Sequence, residues 1–543
     1  MEFSRHYQAK TQVASNAKQT DMSFAPDSLR DPTFFVADLA KHIPFREAMS
    51  ALHYVVISDL RFKPKDKTDY KAWLKSQDNI FLAEALGMRA KKVEEVRELK
   101  EELSELRATE SKVLAPYYKA RSEYYNYLYK SDYDAWFVLD PVISVHPDSI
   151  FFECFSQDES SYGKLSCSYE IFQKISEHAY GTTNIDYSHE LYQEFQKIRD
   201  YKQTQFIVDP SGFEVKTEQS DDFKEEKIDL PDSWVRGFLQ VSSAMSLPFI
   251  QFNLHPMDMY NLLLTLKRHK EKSGPRSIRF ILTPNKPIIM RIEPWNYELV
   301  CPRSLYQGEK AEEVRIWGRR RLFILERLIP ITQSFKISLL GTGLPSFWIA
   351  EMKGMSFTLG LSGWSANDFS RAGNFDLMAP RGEVDSMTAE KVFNALQKTW
   401  CESADSLAKR LNLDIITIKS ALGIYSQYGR VLYDMEQDLY RLRELSKNPL
   451  PMDQLRFSNE REKLANNFIK AKLVTIKSQE QQQGRSLIKG EVMEGGTNYL
   501  PEITIDKDLR LTEATCQCHF YYQNRLNKGP CEHMLALRLS LNN

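Results

Sequence analysis

The chain lacks any run of 18 or more apolar residues, so no stretch of it reads as a membrane-spanning helix. It has almost no charge excess, with 72 Lys and Arg against 73 Asp and Glu, which excludes a chain that coats nucleic acid along its whole length. A local basic patch is still open. Catalytic signatures are missing as well: there is no GK[ST] phosphate loop, no nucleophile elbow, no HExxH and no carboxylate pair at informative spacing. No enzyme is expected on that ground. The opening MEFSRHYQAKTQVASNAKQ is polar without an apolar centre, so it does not read as a secretory signal. A cytoplasmic address is expected. Cysteine is scarce, seven in 543 residues, and in a reducing compartment clustered cysteines point to metal rather than to disulfides.

What is present suggests an α+β multidomain chain of three or four domains. Residues 1–132 read as a helical region. Its first 30 residues look irregular, and 33–60 look like small helices. Val96, Leu99, Leu103, Leu106 and Val113 then fall at heptad spacing, which predicts a long amphipathic helix or a short coiled coil that Pro116 kinks or ends. Residues 133–380 read as mixed α+β. WFVLDPVISV, SIFFECF, QFIVD, SIRFILT and IIMRIEPW are short β-branched or aromatic runs bounded by turn residues. Helices are expected at about 168–178, 189–202 and 257–270. Cys154 and Cys167 have no near ligand partners and read as buried small hydrophobes. Arg319, Arg320 and Arg321 read as a solvated face or as internal ion-pair partners. Gly341 and Gly343 suggest a tight turn, Trp348 and Trp364 core aromatics, and SFTLGLSGW a strand that closes a sheet. His255 beside Asp258 reads as a packed histidine and a capping aspartate.

Residues 387–447 give three short helices and then RVLYDMEQDLYRLREL, an alternating stretch around an acidic turn. The order resembles a winged helix-turn-helix. If its third helix entered a DNA groove, Thr417, Lys419 and Ser420 would point outward, with Arg430 close behind. Over 404–443, however, six cationic side chains face five carboxylates. The expected wing tip carries Asp434, Glu436 and Asp438, which would repel phosphate. Protein docking is therefore preferred to DNA binding for this segment.

Three of the seven cysteines lie at the end of the chain, in ATCQCHFYYQNRLNKGPCEHMLALRLSLNN. Cys516 and Cys518 stand one residue apart at the end of an expected strand, so both face the same side. Cys531 and His533 sit in the first turn of an expected helix, where Pro530 suits the start and the positive helix end favours thiolates. Three thiolates and an imidazole make a Cys3His set, which tetrahedral zinc accepts as a closed structural site. His519 should point to the opposite face and reads as a surface residue.

This constellation resembles the SWIM zinc finger, CxCx(n)CxH, with strands expected upstream over 460–543. The resemblance implies a zinc-binding β-hairpin plus helix, with Cys516, Cys518, Cys531 and His533 holding one structural Zn2+. With DLPDSWVRGFLQVSSAM and the GLSGW stretch, the chain looks like the bacterial SWIM proteins found alongside MoxR-type AAA+ ATPases and von Willebrand factor A proteins. That likeness implies a non-catalytic adaptor that docks those partners. The second reading is a DNA-binding protein that uses the winged helix and the finger. Over 504–543 five cationic side chains face four carboxylates, so no basic stripe favours it.

Overall fold

A computed structural model describes residues 12–15, 19–24, 33–58, 141–208, 232–445 and 460–542, apart from short gaps at 177, 185–191, 193–194, 202, 271–275, 365–366, 371–372, 381, 383, 428 and 483. The chain divides into two compact units, Met1–Asp59 with Leu139–Asn543, and Leu60–Val138. The second unit, and with it the expected heptad helix, lies outside the described residues.

The first unit is mixed α+β with several sheets. Its centre is an eight-stranded sheet in the spatial order Ile250–Leu254, Ser334–Leu339, Ser346–Met352, Met355–Leu361, Ser161–Ser168, Ser149–Phe155, Val142–Val145 and Gly181–Asn184. Every neighbouring pair is antiparallel. Ser149–Phe155 and Met355–Leu361 are buried at every position, so this sheet is covered on both faces there. Side chains alternate, and each face therefore has its own cover. Phe152 and Cys154 meet the helix His42–Val56: Phe45 packs edge-on against Phe152, and the Cys154 thiol lies 3.8 Å from the Leu52 carbonyl. Phe155 and Tyr162 on the other face meet Trp234 and Phe238 of the helix Asp232–Met245. A Cβ at Gly237 would stand 2.9 Å from the Phe155 ring, so that close approach requires glycine.

SFTLGLSGW thus supplies an interior strand and not a closing edge. Trp348 is buried as expected, but Trp364 is 43% exposed and stacks on Trp317 at 5.2 Å. Gly341 and Gly343 both take positive φ, the tight turn that was expected. Of the expected helices, 257–270 is found as Pro256–Arg268. At 168–178 there is instead a single turn, Tyr169–Ile171, between short strands. His255 caps the Pro256–Arg268 helix through Nδ1, while Asp258 is buried and accepts from the Ser304 hydroxyl at 2.7 Å.

The N-terminal residues, expected to be irregular and helical, contribute strands Gln12–Ser15, Gln19–Phe24 and Phe34–Leu39 before the helix His42–Val56. They join a second sheet because Gln19–Phe24 pairs in parallel with the distant Gln203–Val208. A separate four-stranded sheet runs Tyr297–Leu305, Pro287–Ile292, Ile278–Leu282, Glu312–Ile316.

Residues 386–442 form helix Ser386–Thr399, a short strand Cys401–Glu402, helices Ala404–Leu411 and Ile415–Gln427, and strands Val431–Asp434 and Leu439–Leu442. Cys401–Glu402 pairs with Leu439–Leu442, closing a three-stranded sheet over a core of Val392, Leu396, Leu407, Ile418 and Leu422. Ser403 caps the second helix, and Asp385 caps the first.

The final hairpin of that segment is not an exposed acidic tip. Asp434 is buried, with Lys164 at 2.7 Å and Arg441 at 2.8 Å. Arg441 also forks onto Asp148. Arg443 pairs with Glu153 at 2.7 Å, both side chains inaccessible to solvent, and Tyr162 donates to the same carboxylate. Glu436 receives the Ser356 hydroxyl, and Asp438 that of Tyr433. Burial alone would raise the Asp434 carboxyl, but Lys164 and Arg441 outweigh it and hold it well below the usual range. His146, buried beside Arg441, is pushed down to about 3, by burial first and that guanidinium second. The arginine triplet plays the internal role expected of it at two positions: Arg319 donates to the carbonyls of Ser277 and Glu293, and Arg321 pairs with Asp158 at 3.2 Å.

Candidate metal centre

The C-terminal sheet runs Val474–Gln482, Arg485–Glu494, Glu502–Asp506, Leu511–Thr515, with Thr497–Tyr499 also paired to Arg485–Glu494. The last strand ends one residue before Cys516. Beyond it the alternation persists: Cys516 and Cys518 are buried while Gln517 and His519 are exposed. Cys518 caps a short helix, His519–Asn524, which the sequence did not announce. The amide of Tyr521 donates to the Cys518 sulfur at 3.4 Å. Gly529, at positive φ, turns the chain back, and Cys531 stands at the N-cap of helix Glu532–Leu539.

These elements bring the four expected donors together. The sulfurs of Cys516, Cys518 and Cys531 and a ring nitrogen of His533 all lie within 4.8 Å of one another, and all four residues are buried. In a tetrahedral thiolate site with bonds near 2.3 Å, neighbouring sulfurs stand roughly 3.8 Å apart, so the spacing suits one ion. Cys516 Sγ is 3.9 Å from His533 Nδ1. The other nitrogen, Nε2, faces Glu494 Oε2 at 3.1 Å. A carboxylate there fixes Nε2 as the protonated nitrogen and leaves Nδ1 as the ligand. Phe468 and Tyr499 both stack on this ring, with centroids 5.7 and 4.1 Å away, and hold its plane.

The four groups also shift one another's protonation. Hydrogen bonds from Cys516 and Cys531 hold Cys518 far below the ordinary thiol range, while the same kind of contact, from Cys516 and Cys518, pushes Cys531 far above it. Three touching thiols cannot all ionise on their own. Burial opposes charge on His533, yet hydrogen bonds to Cys516 and Cys518 prevail and raise it to about 10. A bound divalent cation would displace protons from these groups. The residues therefore form a group that could hold a metal ion, with four protein donors and no need for water.

Several supporting residues were not legible in the sequence. Glu494 lies 39 positions from its histidine and reaches it only through strand pairing. Arg461 donates to the carbonyls of Pro530 and Lys528, beside Cys531, and its guanidinium lies 4.3 Å over the Phe520 ring. Arg538 donates to the carbonyls of Leu377, Ala379 and Leu509, tying the last helix to the segment before residue 386.

Of the residues expected to face DNA, one is placed differently. Ser420 is buried against Gly382, a correction to its expected outward position, because the helix Ile415–Gln427 has neighbours on more than one side. Lys419 pairs with Asp508 at 3.0 Å. Thr417 donates its amide and hydroxyl to Asp414, and Arg430 lies over the Phe393 ring at 5.6 Å.

No protein-family model matches the chain, and no curated protein matches it. Among solved structures it is similar to proliferating cellular nuclear antigen from Entamoeba histolytica, at 12% identity and a TM-score of 0.28, over 41% of this chain and 89% of that one. A PCNA from Thermococcus kodakaraensis gives 12% identity and a TM-score of 0.29, over 41% and 90%. Likeness at that level transfers neither fold nor function to this chain.

Proposed function

We propose that this chain is a non-catalytic adaptor that docks other proteins, with a SWIM-type C-terminal segment stapled by one structural zinc ion. Zinc is the metal that best suits three thiolates and an imidazole in a closed set. The strands before Cys516 and the helix after Cys531 agree with the hairpin-plus-helix that the resemblance implies. Four protein donors leave no open position for a reacting water, which supports a structural role.

The segment 386–442 is read as a winged helix-turn-helix used for protein contact. Its element order and the pairing of its first short strand with its last support that reading. One observation carries the choice of protein over DNA: the third helix, Ile415–Gln427, is packed by both Asp232–Met245 and Ser386–Thr399. Packing by Asp232–Met245, a helix from outside the segment, narrows the face that this helix could offer to a groove. The hairpin also turns its arginines inward, to Asp148, Asp434 and Glu153. The resemblance extends the proposal to a system driven by a MoxR-type AAA+ ATPase with a von Willebrand factor A protein. Among the described residues no helix is long and apolar enough to cross a membrane.

The test is a titration of zinc-loaded, full-length protein into labelled single- and double-stranded DNA by fluorescence anisotropy at two salt concentrations. The adaptor reading predicts no sub-micromolar binding at low salt. Tight binding that weakens steeply with salt would require several phosphate contacts and would put the DNA reading first.

A further inference from the structure

The first and second helices of the 386–442 segment border an open groove of about 420 Å3, apart from the candidate metal centre. Met387, Lys391 and Lys398 fall on one stripe of Ser386–Thr399, at spacings of four and seven residues, and this stripe forms one wall. Arg410 and Leu411, at the end of Ala404–Leu411, form the other. Met387 is 83% exposed, the most open large apolar side chain among the described residues. Lys391 and Lys398 are exposed and have no ion-pair partner among the described residues. Arg410 is held by Glu402 and the Ala395 carbonyl, so its position is fixed. With Arg410 neutralised by Glu402, two unpaired lysines, Lys391 and Lys398, line the groove against a single carboxylate, Glu390.

We infer that this groove is a docking site for an acidic amphipathic helix of a partner protein. The inference rests on the adaptor reading and names the surface and the partner chemistry. Charge complementarity selects the sign: carboxylates on the incoming helix would meet Lys391 and Lys398 at the rim. The apolar residues select a peptide over a polyanion. An exposed methionine adapts to varied apolar anchors, and with Leu411 it offers a place for one or two buried side chains. No aromatic ring lines the groove for a base to stack on, and Glu390 would face phosphate. From Met387 to Lys398 the wall rises roughly 16 Å, which matches about three turns of a bound helix.

The experiment uses full-length, zinc-loaded protein and a fluorescein-labelled synthetic helical peptide of about 14 residues, Glu-rich with leucines at i, i+3, i+4 and i+7. A scrambled peptide of the same composition and a single-stranded oligonucleotide of similar charge serve as comparisons. The expected result is micromolar binding that weakens with salt, falls about tenfold in Lys391→Glu/Lys398→Glu, and falls severalfold in Met387→Glu. The scrambled peptide should bind more weakly than the patterned one. These positions are exposed, so the thermal unfolding of both variants should match wild type, and their loss of binding then reports on the groove. Absence of peptide binding, or binding indifferent to the charge reversal, overturns the inference. Tighter binding of the oligonucleotide, lost in the same variant, would make the groove a phosphate site and would also overturn it. If neither probe binds, this inference fails while the adaptor reading stands. Salt-steep DNA binding that survives the groove variants would break the adaptor reading.

Discussion

Two regions of this protein bury charge, and they do so by opposite means. At the C-terminus, Cys516, Cys518, Cys531 and His533 come from a stretch of 18 residues and converge on a point where one cation could bind. Between the eight-stranded sheet and the 431–442 hairpin, Lys164, Asp434, Arg441, Asp148, Arg443 and Glu153 neutralise one another, across separations of up to 293 positions. The first arrangement could be completed by a metal ion. The second is complete in itself but requires the whole unit to be folded before any of its pairs can form. A local cluster is a site that can be loaded and unloaded; a distributed network is a joint.

The largest expected effect tests that difference at the metal side. Cys531→Ser should remove a donor and with it most of the binding free energy that orders the terminal segment, on the order of 10 kcal/mol for structural zinc. Hydrogen exchange should then show lost protection over the strands and helices from 474 to 539, with Ser149–Phe155 still protected. Equal loss in both places would erase the distinction.

The joint should respond to a single missing partner. Arg443→Met leaves Glu153 buried and unpaired, and should cost about 3–5 kcal/mol in urea unfolding. Adding Glu153→Leu should return much of it, because an apolar pair of similar size carries no desolvation cost. If the double variant is no better than the single one, the network holds more than its charge balance.

A smaller effect belongs to the carboxylate behind the histidine. Glu494→Ala should weaken metal affinity about 10–100-fold in a chelator competition while leaving the four donors in place.

The mildest test is acid. The His146 ring takes up a proton only near pH 3 in the folded protein, against 6.5 for an ordinary histidine. In between, the unfolded chain binds a proton that the folded one refuses, so stability should fall as pH drops below about 6.5, by about 1 kcal/mol per unit. Below the ordinary aspartate value of 3.8, protonation of Asp434 in the unfolded chain adds to the loss. Equilibrium unfolding at pH 7 and pH 5 should show the slope, and His146→Phe should flatten it.

The same contrast explains what the sequence revealed. The four donors were legible because ligand chemistry and spacing are written within one short stretch. The helix–helix–helix–hairpin order of 386–442 was legible for the same reason, since its core spacing and caps are local. Asp434 was misplaced because its partner Lys164 lies 270 positions away, and an acidic turn looks solvated until that partner is known. Ser420 was misplaced because the packing of a second helix against Ile415–Gln427 is tertiary. The N-terminal strands were missed because the pairing that joins Gln19–Phe24 to the rest of its sheet comes from the distant Gln203–Val208. Glu494 belongs with these, being set by strand register and not by motif.

The measurement that bears most directly on the central claim is zinc-edge X-ray absorption on the purified full-length protein, together with its metal content. The account predicts one zinc per chain, with three sulfurs at about 2.3 Å and one nitrogen at about 2.0 Å. The same spectrum should appear at pH 6 and pH 8, because no bound water is there to ionise. A shell with fewer than three sulfurs, an added oxygen that responds to pH, or no zinc at all would contradict it.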